Sequence, residues 1–231
     1  MQYRHEIERR TVEAHLGAFM SFRNPGILLA VAGAIAAIAL VFHPDELHPG
    51  GIADPRWIPV HLALLVSFTL SVPGVVGLWQ SQHRALPGWG HAAFLLALVG
   101  CVLSVAMVTI EAFALPVAAA NDPRPMMDLL SPDGPYAGAG VLFGIGFLAW
   151  IPGWVAAGIA TARSGVFPPA VGIALAVSAV GVAVPVHFIG GIGLGAHALA
   201  GFGFGAAWLV AGMMTARVEG RGMPIAQVAA A

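Results

Sequence analysis

Residues 168–215 read PPAVGIALAVSAVGVAVPVHFIGGIGLGAHALAGFGFGAAWLVAGMMT, 48 positions without a single Asp, Glu, Lys or Arg. One helix of that length would extend about 72 Å at 1.5 Å per residue, more than twice the hydrocarbon core of a bilayer. The stretch is therefore expected to fold back at Gly190-Gly191 into a tight antiparallel pair of apolar helices. Four further runs of about 20 apolar residues precede it, each long enough to cross a membrane. The six expected spans are roughly 25–42, 57–79, 90–115, 137–161, 168–189 and 192–215. The first opens at Asn24-Pro25, a capping residue type followed by proline at the first helical position.

Composition agrees with that reading. Hydrophobic residues make up 58% of the 231-residue chain and charged residues 9%, and the mean hydropathy is +0.85, outside the range of a water-soluble domain. The expected fold class is all-α: an integral membrane bundle of six transmembrane helices over residues 24–216. An amphipathic surface segment, 1–23, precedes it and a short tail, 217–231, follows. Within 1–23, Ile7, Leu16, Phe19, Met20 and Phe22 stand among charges, as in a helix lying on a membrane surface. No apolar run precedes Asn24, so a cleaved signal peptide is not expected.

Arginine placement orients the bundle, because cytoplasmic loops are enriched in Lys and Arg. All ten basic residues are arginines. Arg4, Arg9, Arg10, Arg23, Arg84, Arg163, Arg217 and Arg221 share one side, whereas only Arg56 and Arg124 lie on the other. Both termini are accordingly expected in the cytoplasm. The two longer connections then face outward: HPDELHPGGIADPR, residues 43–56, and AANDPRPMMDLLSPDGP, residues 119–135. The second carries Met126, Met127, Leu129 and Leu130, an apolar group suited to fold over the bundle as a lid. Trp57, Trp79, Trp89, Trp150, Trp154 and Trp208 lie mostly near span ends, as an aromatic belt would place them.

Several functions are excluded. A formal charge of −1 without any lysine does not supply the clustered basic surface that nucleic acid requires. The lone Cys101 permits no intrachain disulfide and no CxxC motif. There is no P-loop, no GxSxG elbow and no HExxH motif. GGIGLG, residues 190–195, follows no strand and reads as a turn and helix start. The two halves show no convincing inverted repeat of the kind found in many transporters.

What remains is a set of ionisable side chains in apolar helices, where each is costly and therefore a functional-site hypothesis. His61 and Glu111 lie about one turn inside the outer ends of spans two and three. His187 and His197 lie near the outer ends of spans five and six, so all four share one depth. Cys101, Ser104 and Glu111 fall on one stripe, which should face protein. Gly193, His197, Gly201 and Gly205 recur every four residues and leave a face that admits a close neighbour: a packed helix, as Gly191/Gly195 and Gly140/Gly144 also allow, or a flat macrocycle. Pro185 should distort the end of span five near His187. Three imidazoles and a carboxylate suit a transition metal such as zinc, iron or copper. His61, His187 and His197 also suit a non-covalent haem or another tetrapyrrole. Two further readings compete with a cofactor site. In one, the polar groups pair with each other or with backbone in a structural or assembly subunit. In the other, Glu111 serves a proton-coupled carrier. His43, Asp45, Glu46 and His48 would add ligands if the first outer loop folded over the site, although two His-Pro turns read more simply as a solvated loop.

Several short motifs carry a resemblance. His43-Pro44 follows span one, Trp57 and His61 open span two, and Glu111-Ala112-Phe113 with Leu115-Pro116 closes span three. The outer-loop run 129–135, LLSPDGP, and the connection 158–172, GIATARSGVFPPAVG, complete the set. Together these resemble uncharacterised bacterial six-span membrane proteins of the DUF4386-like group. That resemblance implies a bacterial inner membrane protein, a setting with which the Ala/Gly/Arg bias agrees. His61 and Glu111 stand on the matching positions, whereas His187 and His197 replace apolar residues there. The expected partners are the lipid bilayer and, through the glycine-rich faces, other membrane subunits or a second copy.

Overall fold

The computed structural model describes residues 24–45, 50–121, 126–188 and 194–220. The amphipathic segment 1–23 and residues 221–231 of the tail lie outside the described residues. Eight helices are described, and no strand is found among the described residues. They are α1 (Pro25–Val41), α2 (Trp57–Gln80), α3 (Gly88–Phe113), α4 (Leu115–Asn121), α5 (Met126–Leu130), α6 (Ala137–Ser164), α7 (Pro169–Phe188) and α8 (Leu194–Gly220). Four stretches are long and apolar enough to cross a membrane: Trp57–Gln80, Gly88–Asn121, Ala137–Ser164 and Ala198–Gly220. The apolar helices at Pro25–Val41 and Pro169–Val182 are shorter by the same measure. At 17 residues, α1 rises only about 26 Å, a few ångströms less than a typical hydrocarbon core.

The six long helices form a closed ring. Each packs on the next long helix in the chain, in the order α1, α2, α3, α6, α7, α8, and α8 returns to α1. The contacts also give the direction of packing. Gly77 meets Pro25 while Gly74 meets Leu29, and Gly153 meets Ala97 while Gly100 meets Trp150. Chain numbers rise on one helix as they fall on its neighbour, so the α1–α2 and α3–α6 pairs are antiparallel. Gly165, with φ +70°, ends α6 in the left-handed conformation that glycine adopts without a Cβ clash.

Ring closure rests on glycine. A Cβ on Gly33 would fall on the Leu209 amide nitrogen and the Gly205 carbonyl, and one on Gly212 would fall on the Ala30 nitrogen and the Gly26 carbonyl. Gly26 and Gly205 are enclosed in the same way by Ala216 and by Ala37. The two backbones therefore touch directly, a contact only residues without side chains allow. The face of α8 expected to admit a packed helix or a flat macrocycle receives a helix of the same chain: Gly205 lies on α1 backbone and Gly201 on the Leu40 side chain. Gly140 is covered by the Leu130 carbonyl, whereas Gly144 has open space around it.

The same corner corrects the expected cap. Asn24 adopts a positive φ of 74° and its side chain makes no capping hydrogen bond. Instead, Gly26 N–H donates to Glu219 Oε2 of α8 at 3.4 Å, so the end of one helix supplies a carboxylate to the start of another. An anion there is favoured by the helix dipole.

Interior and exterior are divided as lipid requires. Ile38, Leu95, Val141, Leu148, Val177 and Leu199 are more than 60% exposed, a surface that hydrocarbon tolerates and water does not. The expected aromatic belt is not what forms. Trp57, Trp150, Trp154 and Trp208 are buried, while Trp89 is exposed. Trp154 and Trp208 lie 5.1 Å apart, and Phe204 packs on Trp208 at 4.6 Å and on Trp150 at 5.1 Å. Large aromatic rings fill the centre that the small-residue contacts leave.

Gly33→Leu should force α1 from α8 and lower stability by about 3 kcal/mol or more, the upper end of overpacking costs. Gly203→Leu, at a position with open space, should be tolerated. Thermal unfolding in detergent with size-exclusion profiles checks both, and equal behaviour of the two variants would refute close packing at Gly33.

Candidate functional site

The polar groups at one end of the ring come from three elements. The His43 segment follows α1, His61 lies one turn into α2, and Glu111 lies in the last turn of α3. As the stripe on α3 predicts, Cys101, Ser104 and Glu111 are all buried. His61 has no exposed surface, and Glu111 is 8% exposed.

His61 is held in a defined tautomer. Its Nδ1 lies 2.7 Å from the Trp57 carbonyl; a carbonyl only accepts, so Nδ1 carries hydrogen and the neutral ring keeps its lone pair on Nε2. That Nε2 lies 3.7 Å from Glu111 Oε2 and has no hydrogen-bond partner within the protein. The separation exceeds a hydrogen bond. The pair is therefore in reach, with its proton-accepting atoms facing one another.

Trp57 organises both residues. Its ring stacks on His61 at 4.2 Å with an interplanar angle of 26°. Its indole N–H donates to the backbone carbonyl of Glu111 at 2.7 Å. Carbonyls in a final helical turn lack partners of their own, so the indole satisfies α3 while fixing it against α2. Trp57 and His61 are four residues apart on one helical face. The four-residue spacing is present in the sequence, where Trp57 by itself reads as an aromatic-belt residue at a span end.

His43 departs from the solvated-loop reading. It is 8% exposed, meets the His61 ring edge-on at 4.9 Å and lies 6.0 Å from Trp57. Its Nδ1 is 2.8 Å from the Pro44 carbonyl, so the proton again sits on Nδ1 and the neutral ring carries its lone pair on Nε2. Glu46 and His48 lie outside the described residues.

The lid expected of the second outer loop is in place. Met126, Leu129 and Leu130 of α5 are buried in one cluster with Ile52, Trp57, Met107, Leu115 and Phe143. This apolar layer packs around Trp57, which contacts both His61 and Glu111, and keeps water from its ring.

His187 and His197 fall on α7 and α8, but their side chains lie outside the described residues. Among the described residues, no group of three or more His, Cys, Asp or Glu side chains is placed to hold a metal ion. A macrocycle finds no opening at His61, which is fully covered, and none at the Gly201–Gly205 face, which α1 fills.

An ion pair shapes the entrance to α2. Arg56 donates from Nε to Asp54 Oδ1 at 3.0 Å and from Nη2 to Oδ2 at 2.7 Å, a bidentate fork. The hydrogen-bonded guanidinium holds the Asp54 carboxyl down at about 2, against its ordinary 3.8. The chain matches no family model, no curated protein and no solved structure.

Trp57→Phe keeps the stacked ring but removes the donor to the Glu111 carbonyl. It should destabilise the protein by about 1–3 kcal/mol, the cost of an unsatisfied buried acceptor, as read by detergent unfolding. Because the Asp54 value is depressed, the stabilisation from its pair with Arg56 is fully present above 3.8 and is lost as pH falls through about 2. In Arg56→Gln, carboxyl NMR should show Asp54 titrating near 3.8; an unchanged titration would remove the role of Arg56.

Proposed function

We propose that this chain is a six-span integral membrane protein in which Glu111 and His61 together hold and pass one proton, the element a proton-coupled carrier needs. The observation that carries this reading is the buried 3.7 Å approach of His61 Nε2 to Glu111 Oε2. A lone charge at this position is costly, whereas a carboxyl beside a neutral imidazole and a carboxylate beside an imidazolium are both net-neutral. The proton then has two sites, Oε2 and Nε2, and closing the gap by about 1 Å would bring them to hydrogen-bond distance. Trp57 supports the exchange by keeping Nδ1 occupied, which leaves Nε2 as the titrating atom.

The six-span reading is supported by the ring, since α1 and α7 pack in one closed layer with the four longer helices. The arginine distribution favours cytoplasmic termini, and with them a position for the pair in the outer half of a bacterial inner membrane.

A metal reading has one observation in its favour. Two ligands each about 2.0–2.1 Å from a shared ion can stand up to about 4 Å apart, and His61 Nε2 and Glu111 Oε2 meet that limit. A complete site would need further donors, with His187 and His197 as the candidates.

Infrared difference spectroscopy across a pH jump, run beside elemental analysis of the purified protein, tests both readings. A carboxyl band lost in Glu111→Gln and displaced in His61→Gln, with no bound metal, is the expected result. A carboxyl signal indifferent to His61→Gln would sink the shared proton. Stoichiometric metal that disappears in both variants would replace it with a metal centre.

A further inference from the structure

At the opposite end of the ring, the outer seam between α2 and α3 opens into a groove of about 220 Å³ lined by Val75, Val76, Trp79, His91, Phe94, Leu95 and Leu98. From His91 to Leu98 it runs about 10 Å along the helix axis. It is smaller than the roughly 300–1,000 Å³ typical of small-molecule pockets. A slender alkyl chain fits such a space. Leu95 is 62% exposed, so the groove opens sideways, toward lipid in a membrane-spanning bundle.

The polar end of the groove is built. Trp79 Nε1 donates to His91 Nδ1 at 3.1 Å. His91 therefore accepts at Nδ1 and carries its hydrogen on Nε2, away from the tryptophan. Arg84 lies in the connection that joins the two groove-forming helices. Arg84 is exposed. The acidic side chain described at this end is Glu219, which is engaged with Gly26 on the α1 side. The seam therefore ends beside an arginine-bearing connection and an imidazole donor, the chemistry that recognises phosphate.

We propose that this groove binds one anionic phospholipid of the surrounding leaflet, with an acyl chain along Val76, Leu95 and Leu98 and its phosphate at Arg84 and His91. The occupant follows from the combination of an apolar slot one chain wide and a basic mouth at its end, as expected of lipid sites on the arginine-rich side of a membrane protein. The site is separate from the His61–Glu111 pair, and nothing in it depends on proton exchange there.

Native mass spectrometry of the full chain, released from mild detergent after titration with phosphatidylglycerol or with phosphatidylcholine of identical chains, tests the site. The first phosphatidylglycerol should bind about fivefold more tightly than phosphatidylcholine, given one arginine at the mouth. Arg84→Gln should erase that preference. Leu95→Trp, at a lipid-facing position that does not disturb the core, should block the slot and weaken retention of both lipids. Equal binding of the two lipids by the unsubstituted protein would overturn the anionic assignment. A phosphatidylglycerol preference that survives Leu95→Trp would place the lipid elsewhere and overturn the groove.

Discussion

Direct backbone contact between α1 and α8 is the constraint on which the remaining architecture depends. A helical bundle in lipid gains no hydrophobic energy by associating its helices, so it relies on close packing and on shared polar groups. Gly26 and Gly33 on one helix and Gly205 and Gly212 on the other recur every seven residues, or two helical turns, and bring the backbones together along that length. Because the first and last helices meet, the other four are held as a closed ring rather than an open row. The Glu219 carboxylate at the start of α1 adds a polar contact at the same seam.

A closed ring has consequences for its polar residues. Its outside is apolar and its centre is filled by Trp150, Trp154, Phe204 and Trp208, so ionisable groups are tolerated only where partners come to them. At the His61 end those partners are one another. Trp57 stacks on the imidazole and bonds the carbonyl of Glu111, His43 closes the outer edge, and the α5 layer shuts out water. The arrangement fixes one nitrogen of His61 and leaves the other facing a carboxylate. A proton can move between two such atoms without creating a net charge in a low-dielectric setting.

The opposite end is organised differently. Among the described residues there, Arg84, Arg163 and Arg217 are exposed and two histidines are anchored by local bonds, His83 to the Gln80 carbonyl and His91 to Trp79. Gln82 and Thr161 share a buried hydrogen bond across the ring, which ties α2 to α6 where the arginine-bearing connections emerge. One end of the bundle thus encloses its polar groups, and the other presents them at the surface.

The helical class, the membrane setting and the depth of His61 and Glu111 were legible in the sequence, because hydropathy and the 3.6-residue period act locally along the chain. The inward-facing stripe of Cys101, Ser104 and Glu111 was legible for the same reason, and so was the apolar lid at Met126, Leu129 and Leu130. Local pattern could not show which neighbour each face would meet. Trp150 and Trp154 read as interfacial but fill the core, since only ring closure brings α8 across to them. His43 read as a solvated turn residue and is buried against His61 because α1 ends beside the start of α2. The glycine face of α8 read as a seat for a packed helix or a flat macrocycle; a helix takes it, and only the tertiary structure shows that the helix is α1, in a contact between residues more than 160 positions apart. Composition and period determined what each helix is; the long-range contacts, which depend on rotation and packing order, decided which side chains meet.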